Sequence, residues 1–326
     1  MDEREYIKRA ALGHRKIHQR MKSKGFVYPF GAYPEEPFDQ NAGFDSRFME
    51  DRGLYYYEIA VSHEKVLGVF LSLLRLLPKE AHVLAQVYTD DYFREYDNYI
   101  SEFPVSMNSL LEWVLTWREV VSDDGYFAIG ALSEDPDIDI LLDTHKIIHM
   151  NHHDPSAVEA TLEKLGIPFK MGMGFFPEVA HEHVPLPIDN EEGEDFLSAF
   201  EDLADRYSLA LDEDESDDFD EDGEPLGVTC WRVDVRGCSR DQEREPQPKG
   251  FYSTFYLNAT SRLEAAGVLE SYMDSRNEYI DLYLQMARVP MELLTRPLRE
   301  ANENPGEQGV WFELDRVEFE WEEKHD

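Results

Sequence analysis

The chain has 326 residues, of which 69 are Asp or Glu and 31 are Lys or Arg, a formal net charge of −38. So negative a body repels nucleic-acid phosphates and anionic lipid heads, which excludes nucleic acid and membrane surfaces as partners and favours cationic ones. At 42% hydrophobic and 13% aromatic it is too apolar to be disordered throughout, and its length predicts two domains.

Residues 1–24 carry eight basic against three acidic side chains and read as a basic amphipathic helix. Residues 25–53, rich in Gly, Pro and Phe, have no period and read as an ordered surface arm. A first α+β domain is expected over 54–188. It opens with a strand at 54–61 and a helix at 62–77, with Ser62 as N-cap and Pro78 as its stop. A strand at 81–89, an acidic aromatic loop at 90–103 and a helix at 106–121 follow. Asp124-Gly125 marks a turn before a hairpin of 126–132 with 138–150. Asp154-Pro155 opens a helix that Gly166 ends.

Residues 189–224 hold eighteen acidic residues against Arg206 alone. An amphipathic helix over 191–208, burying Phe196, Phe200, Leu203 and Tyr207, and a carboxylate-rich linker fill 189–226. The second α+β domain, 227–326, has strands near 228–235, 251–260, 279–289 and 310–321, a helix at 261–274 and a second one at 290–300. Tyr57 to Val69 and Tyr256 to Val268 both read Y-x-x-A-x-S-x5-G-V at a strand-to-helix junction, which suggests an internal duplication. In that reading each Ser caps its helix and each Gly lets the helix pack closely on its sheet. The expected fold class is α+β: two blocks of mainly antiparallel sheet covered by helices and joined by the acidic linker.

Two cysteines without metal-ligand spacing, no apolar leader and no apolar run of about 20 residues point to a soluble protein of a reducing cytoplasm. Motifs for phosphate loops, nucleophile elbows and zincin helices are absent. The run Asp218, Asp220, Asp222, Gly223 mimics a calcium loop, but Thr229 stands where a bidentate Glu is required. Histidine clusters at His145, His149, His152 and His153, beside Asp143. On a continuous strand His145 and His149 stand about 13 Å apart, too far for one ion, whereas Asp143 and His145 supply two ligands of a site completed elsewhere. His181 and His183, framed by prolines, are the candidates to complete it.

The chain is therefore expected to be a non-catalytic, cofactor-free binding protein whose acidic surface engages a basic protein partner. The residues named for that contact are Tyr92, Tyr96, Asp97, Tyr99 and Glu102, aromatic anchors with a charged rim. The alternatives are a metal-dependent hydrolase using Asp143, His145, His181 and His183, and a small-molecule-binding module whose acidity is saline adaptation.

Overall fold

The computed structural model describes residues 20–89, 91–186, 195–212, 218, 225–239 and 249–320. Most of the basic helix and of the acidic linker, and with them Asp220, Asp222 and Gly223, lie outside these residues. The fold is α+β, with seven helices among the described residues and several antiparallel sheets. Among the described residues two compact units emerge: one formed by 20–88 and 98–210, the other by 89–97 with the chain from 211.

In the larger unit, short strands β1 (Lys22–Ser23), β2 (Phe26–Val27) and β3 (Ala32–Pro34) precede β4 (Gly43–Met49) and β5 (Leu54–Ala60). Helix α1 (His63–Leu74) leads to β6 (Glu80–Tyr88), β7 (Tyr96–Ser101) and β8 (Val105–Ser106). Helices α2 (Met107–Thr116) and α3 (Arg118–Asp123) come next, then β9 (Phe127–Glu134), β10 (Asp137–Leu142) and β11 (Ile148–His152). Helix α4 (Pro155–Lys164), strand β12 (His181–His183), helix α5 (Phe196–Tyr207) and strand β13 (Leu209–Leu211) complete the series. The main sheet runs β13-β7-β6-β9-β10-β11-β5-β4, and β12 pairs with β3 apart from it. The stretch expected to be an arm thus supplies the sheet's edge strand β4, and it adds a small core in which Tyr28 and Ala32 meet Phe176.

Periodicity explains the helices. In α1, Val66, Val69, Phe70, Leu73 and Leu74 repeat at helical spacing and are all buried. Ser62 precedes α1 but makes no cap bond; its Oγ donates to Glu64 Oε2 and accepts from Val27 N instead. Asp154 does cap α4, accepting from Ser156 N at 2.9 Å with Pro155 in the first turn. The expected acidic helix forms as α5, burying Phe196, Phe200, Leu203 and Tyr207.

The smaller unit contains β14 (Thr229–Ser239), β15 (Lys249–Ala259), α6 (Arg262–Ser275), β16 (Glu278–Arg288), α7 (Arg296–Ala301) and β17 (Gly309–Glu320). Its antiparallel sheet runs β16-β14-β15-β17, and α6 covers a core of Trp231, Val233, Phe255 and Leu269. The repeated junction occurs at β5–α1 and β15–α6. Ser261 caps α6 by accepting from Glu264 N at 3.0 Å, as Ser62 does not for α1. Neither Gly68 nor Gly267 has any atom within 4 Å of where a Cβ would stand, so close packing does not require either glycine. After α1 the chain returns as β6 with three strands between it and β5, and after α6 it returns as β16 with only one strand between it and β15.

Candidate metal centre

The strand expected over 138–150 is broken in its middle. Asp143 begins a tight turn: its backbone N–H donates to Ile147 O at 3.0 Å, and its Oδ1 accepts from Ile147 N at 2.8 Å. Lys146 takes a left-handed conformation at φ 63° and buries its ammonium on Phe127 O at 2.6 Å. Burial pulls the Lys146 ammonium down to about 8 against the opposing pull of Asp124 and Asp143. A side chain able to accept from the backbone two to four residues on is the ordinary device for such a turn. The alternation resumes in phase after it, which is why Ile140, Leu142, Ile148 and Met150 still share the buried face.

The turn lifts His145 out of the sheet and directs it at β12. Successive side chains alternate along a strand, so His181 and His183 project to one side and Glu182 to the other. Strand β12 is fixed by its register with β3, His181 opposite Pro34 and His183 opposite Ala32. Two glycines permit this layering: a Cβ on Gly31 would stand 2.0 Å from Gly125 N, and one on Gly125 would stand 1.8 Å from Gly31 O. As a result His145 Nε2 lies 3.1 Å from His181 Nε2 and 2.9 Å from His183 Nε2, and the three candidate ligand atoms all fall within 4.8 Å of one another.

The far nitrogen of each ring settles its tautomer. His181 Nδ1 donates to Val179 O at 2.7 Å and His183 Nδ1 to Gly125 O at 2.8 Å, since a carbonyl only accepts. His145 Nδ1 donates to Asp143 Oδ2 at 3.2 Å. A ring that carries its one proton at Nδ1 presents a bare lone pair at Nε2, and two such rings cannot hydrogen-bond through their Nε2 atoms. Burial, reinforced by the neighbouring His145 ring, drives His183 down to about 4, so it stays neutral at physiological pH. An ion with metal–nitrogen bonds of ~2.0–2.1 Å in tetrahedral geometry holds its nitrogens about 3.3 Å apart, close to the two spacings measured from His145 Nε2.

Aromatic rings wall the cluster. Tyr88 stacks on His183 at 5.6 Å between centroids, and Phe176 meets His145 edge-on at 5.7 Å. Asp143 also accepts from His149 Nε2 at 3.0 Å. Burial opposes its ionisation, but the two imidazole donors outweigh that and hold Asp143 well below the usual carboxylate range. His149 is the partner in this exchange: burial disfavours its charge, yet Asp143 raises its pKa above the ordinary value.

Asp143, His145, His181 and His183 are thus brought together, with the three histidines facing one point and Asp143 behind His145. His149, which the unbroken-strand reading separated from His145 by 13 Å, shares the Asp143 carboxylate with it. The Gly125 and Val179 carbonyls carried no signal in the sequence, because main-chain acceptors are not encoded by residue type.

The residues expected to dock a basic partner are not brought together. Asp97 is 1% exposed, accepting from Arg94 at 2.7 Å, Arg262 at 2.8 Å and Met286 N at 3.2 Å; it neutralises buried guanidinium groups and offers no rim charge. Tyr99 is 2% exposed, its ring 4.6 Å from Phe200. These positions belong to β7, whose alternation turns Asp97, Tyr99 and Ser101 inward where a loop was expected. Tyr96 is half-buried, and only Tyr92 and Glu102 of the set are exposed. Asp218, the first position of the calcium-loop reading, pairs with Arg288.

No protein-family model matches the chain, and neither a curated protein nor a solved structure matches it. Among the described residues no helix is long and apolar enough to cross a membrane.

Proposed function

We propose that this protein holds one divalent transition-metal ion on His145, His181 and His183 and is a metal-dependent hydrolase. The observation that carries the reading is the convergence of three imidazole lone pairs whose ring protons are all committed to other acceptors. Nothing but a cation satisfies three such acceptors at once; a single proton would bridge one pair and leave the third. Neutral imidazoles suit zinc, copper, nickel or iron(II) and discriminate against magnesium and calcium. Three protein ligands leave a position for water, the arrangement of catalytic rather than structural zinc sites, and a bound ion there would lower that water's pKa towards 7.

The test is metal analysis of protein purified without chelator, followed by zinc titration of the stripped protein. One equivalent of a transition metal is expected, lost in the double variant His145→Ala, His181→Ala, together with metal-dependent hydrolysis of an activated ester. A stripped protein that binds neither zinc nor copper below millimolar concentration overturns the proposal.

The second reading is an interaction protein for a basic partner. It is supported by the net charge of −38 and by Tyr92 and Phe93, 64% and 46% exposed and packed edge to face. Association that weakens steeply with salt is its expected signature, and tight binding insensitive to salt refutes it.

A further inference from the structure

The Asp143 carboxylate does not end at the cluster. From His145 Nδ1 a line of contacts runs through Asp143 Oδ2 to His149 Nε2 at 3.0 Å, and from His149 Nδ1 to the Tyr56 hydroxyl at 2.7 Å. The Arg47 guanidinium caps the line, 4.7 Å above the centre of the Tyr56 ring. The members stand on adjacent strands in register: Arg47 of β4 opposite Tyr56 of β5, and Glu58, two residues along β5, opposite His149 of β11. The inward neighbours Tyr57, Ile148 and Met150 are buried on the other face, so this is a polar ladder across the outward face of three strands.

We propose that His149 and Tyr56 are positioning residues of the metal centre, holding Asp143 so that the His145 imidazole is presented to the ion in one tautomer and one orientation. The inference rests on the metal reading above. Asp143 comes from a five-residue turn, and its Oδ1 is already committed to Ile147 N. What stops Oδ2 from swinging away from His145 is its second donor, His149. His149 in turn is oriented by the Tyr56 hydroxyl and by stacking on the Tyr56 ring, with 6.1 Å between centroids and 22° between planes. Partners of this kind behind a ligating histidine typically change metal affinity by about 10–100-fold when removed.

The experiment compares zinc affinity, by competition with a chromophoric chelator, and the visible spectrum of the cobalt(II) form. It uses the full chain, as wild type, His149→Phe, His149→Gln and Tyr56→Phe. His149→Phe should bind about 10–100-fold more weakly with an altered cobalt spectrum. His149→Gln, which keeps an N–H donor for Asp143, should recover part of the loss, and Tyr56→Phe should show a smaller one. Circular dichroism of the metal-free proteins identifies any variant that fails to fold, and the Gln and Tyr56 variants then carry the test. Wild type that binds metal while folded His149→Phe matches it in affinity and spectrum refutes the positioning role alone. Wild type that binds no metal removes the centre itself and the inference with it.

Discussion

Metal binding should appear as stability. The three ligands come from two segments, the 143–147 turn and β12, separated by 36 residues between His145 and His181 and joined in space only in the folded form. An unfolded chain offers the same imidazoles without convergence, so zinc favours the native state almost exclusively. At a free zinc concentration 100 times the dissociation constant the gain is about 2.7 kcal/mol. A unit of this size class, ~150–250 residues, shifts its midpoint by about 2–4 °C per kcal/mol, so a rise of about 5–11 °C is expected. Differential scanning calorimetry at pH 7.5, with and without zinc, reads it directly. The rise should be confined to one transition if the two units unfold separately. Magnesium at equal concentration should produce none, and His145→Ala should abolish the response. A zinc effect that survives in the variant lacking all three histidines would show that surface carboxylates, not the cluster, bind the ion.

Other outcomes follow from the same geometry. Gly267→Ala should stabilise the smaller unit by about 1 kcal/mol in denaturant unfolding, since the added methyl meets nothing and helix propensity improves; a destabilised variant contradicts that packing. Phe176→Ala should cost about 3–5 kcal/mol in the same assay and weaken zinc binding, because this 2%-exposed ring supports both Tyr28 and His145; an unchanged midpoint argues against it. Burial, opposed by the Leu186 and Tyr126 N–H groups, pushes Asp124 up to about 6. Its folded pKa thus exceeds the unfolded value, so its contribution is complete below pH ~4 and is lost as pH rises through 6, by about 3 kcal/mol. Measured against Asp124→Asn, wild-type stability should fall across that window; a flat difference refutes it. Finally, 1 M sodium chloride should raise the melting temperature over dilute buffer by screening the net charge of −38, and equal midpoints would mean that self-repulsion is negligible.

Much of the fold is legible in the sequence because burial imposes period. The run Val66, Val69, Phe70, Leu73 marks α1, and the alternation from Ile138 marks β10 and β11 on one buried face. What alternation does not register is an interruption that preserves phase. The turn at Asp143 consumes residues between Leu142 and Ile148 and leaves the pattern intact, and with it the apparent 13 Å between His145 and His149. The same weakness hid β7, where rings and carboxylates alternate as they would on a solvated loop; the discriminating fact, that Arg94 and Arg262 require Asp97 inside, is a long-range one. Strand β4 escaped because Gly43–Met49 mixes Asp, Ser and Arg with Phe, as an edge strand tolerates. The histidines themselves were visible. Their convergence depends on Gly31 meeting Gly125, which no local pattern announces.

The nonapeptide 89–97 belongs with residues more than a hundred positions further on, so among the described residues the polypeptide passes from one unit to the other three times. Its carboxylates serve that later segment: Asp91 accepts from Arg288 N, and Asp97 accepts from Met286 N and pairs with the Arg262 guanidinium. On the ribosome this short stretch, with Arg94 as its internal counter-ion, must therefore wait for its later partners until β16 has been synthesised. A gene fragment beginning at 211 would encode every strand of its sheet and still leave Arg262, 3% exposed, without its anion. Excising residues 211–326 at the acidic junction should accordingly yield an aggregating product, and supplying 89–97 as a peptide should rescue it.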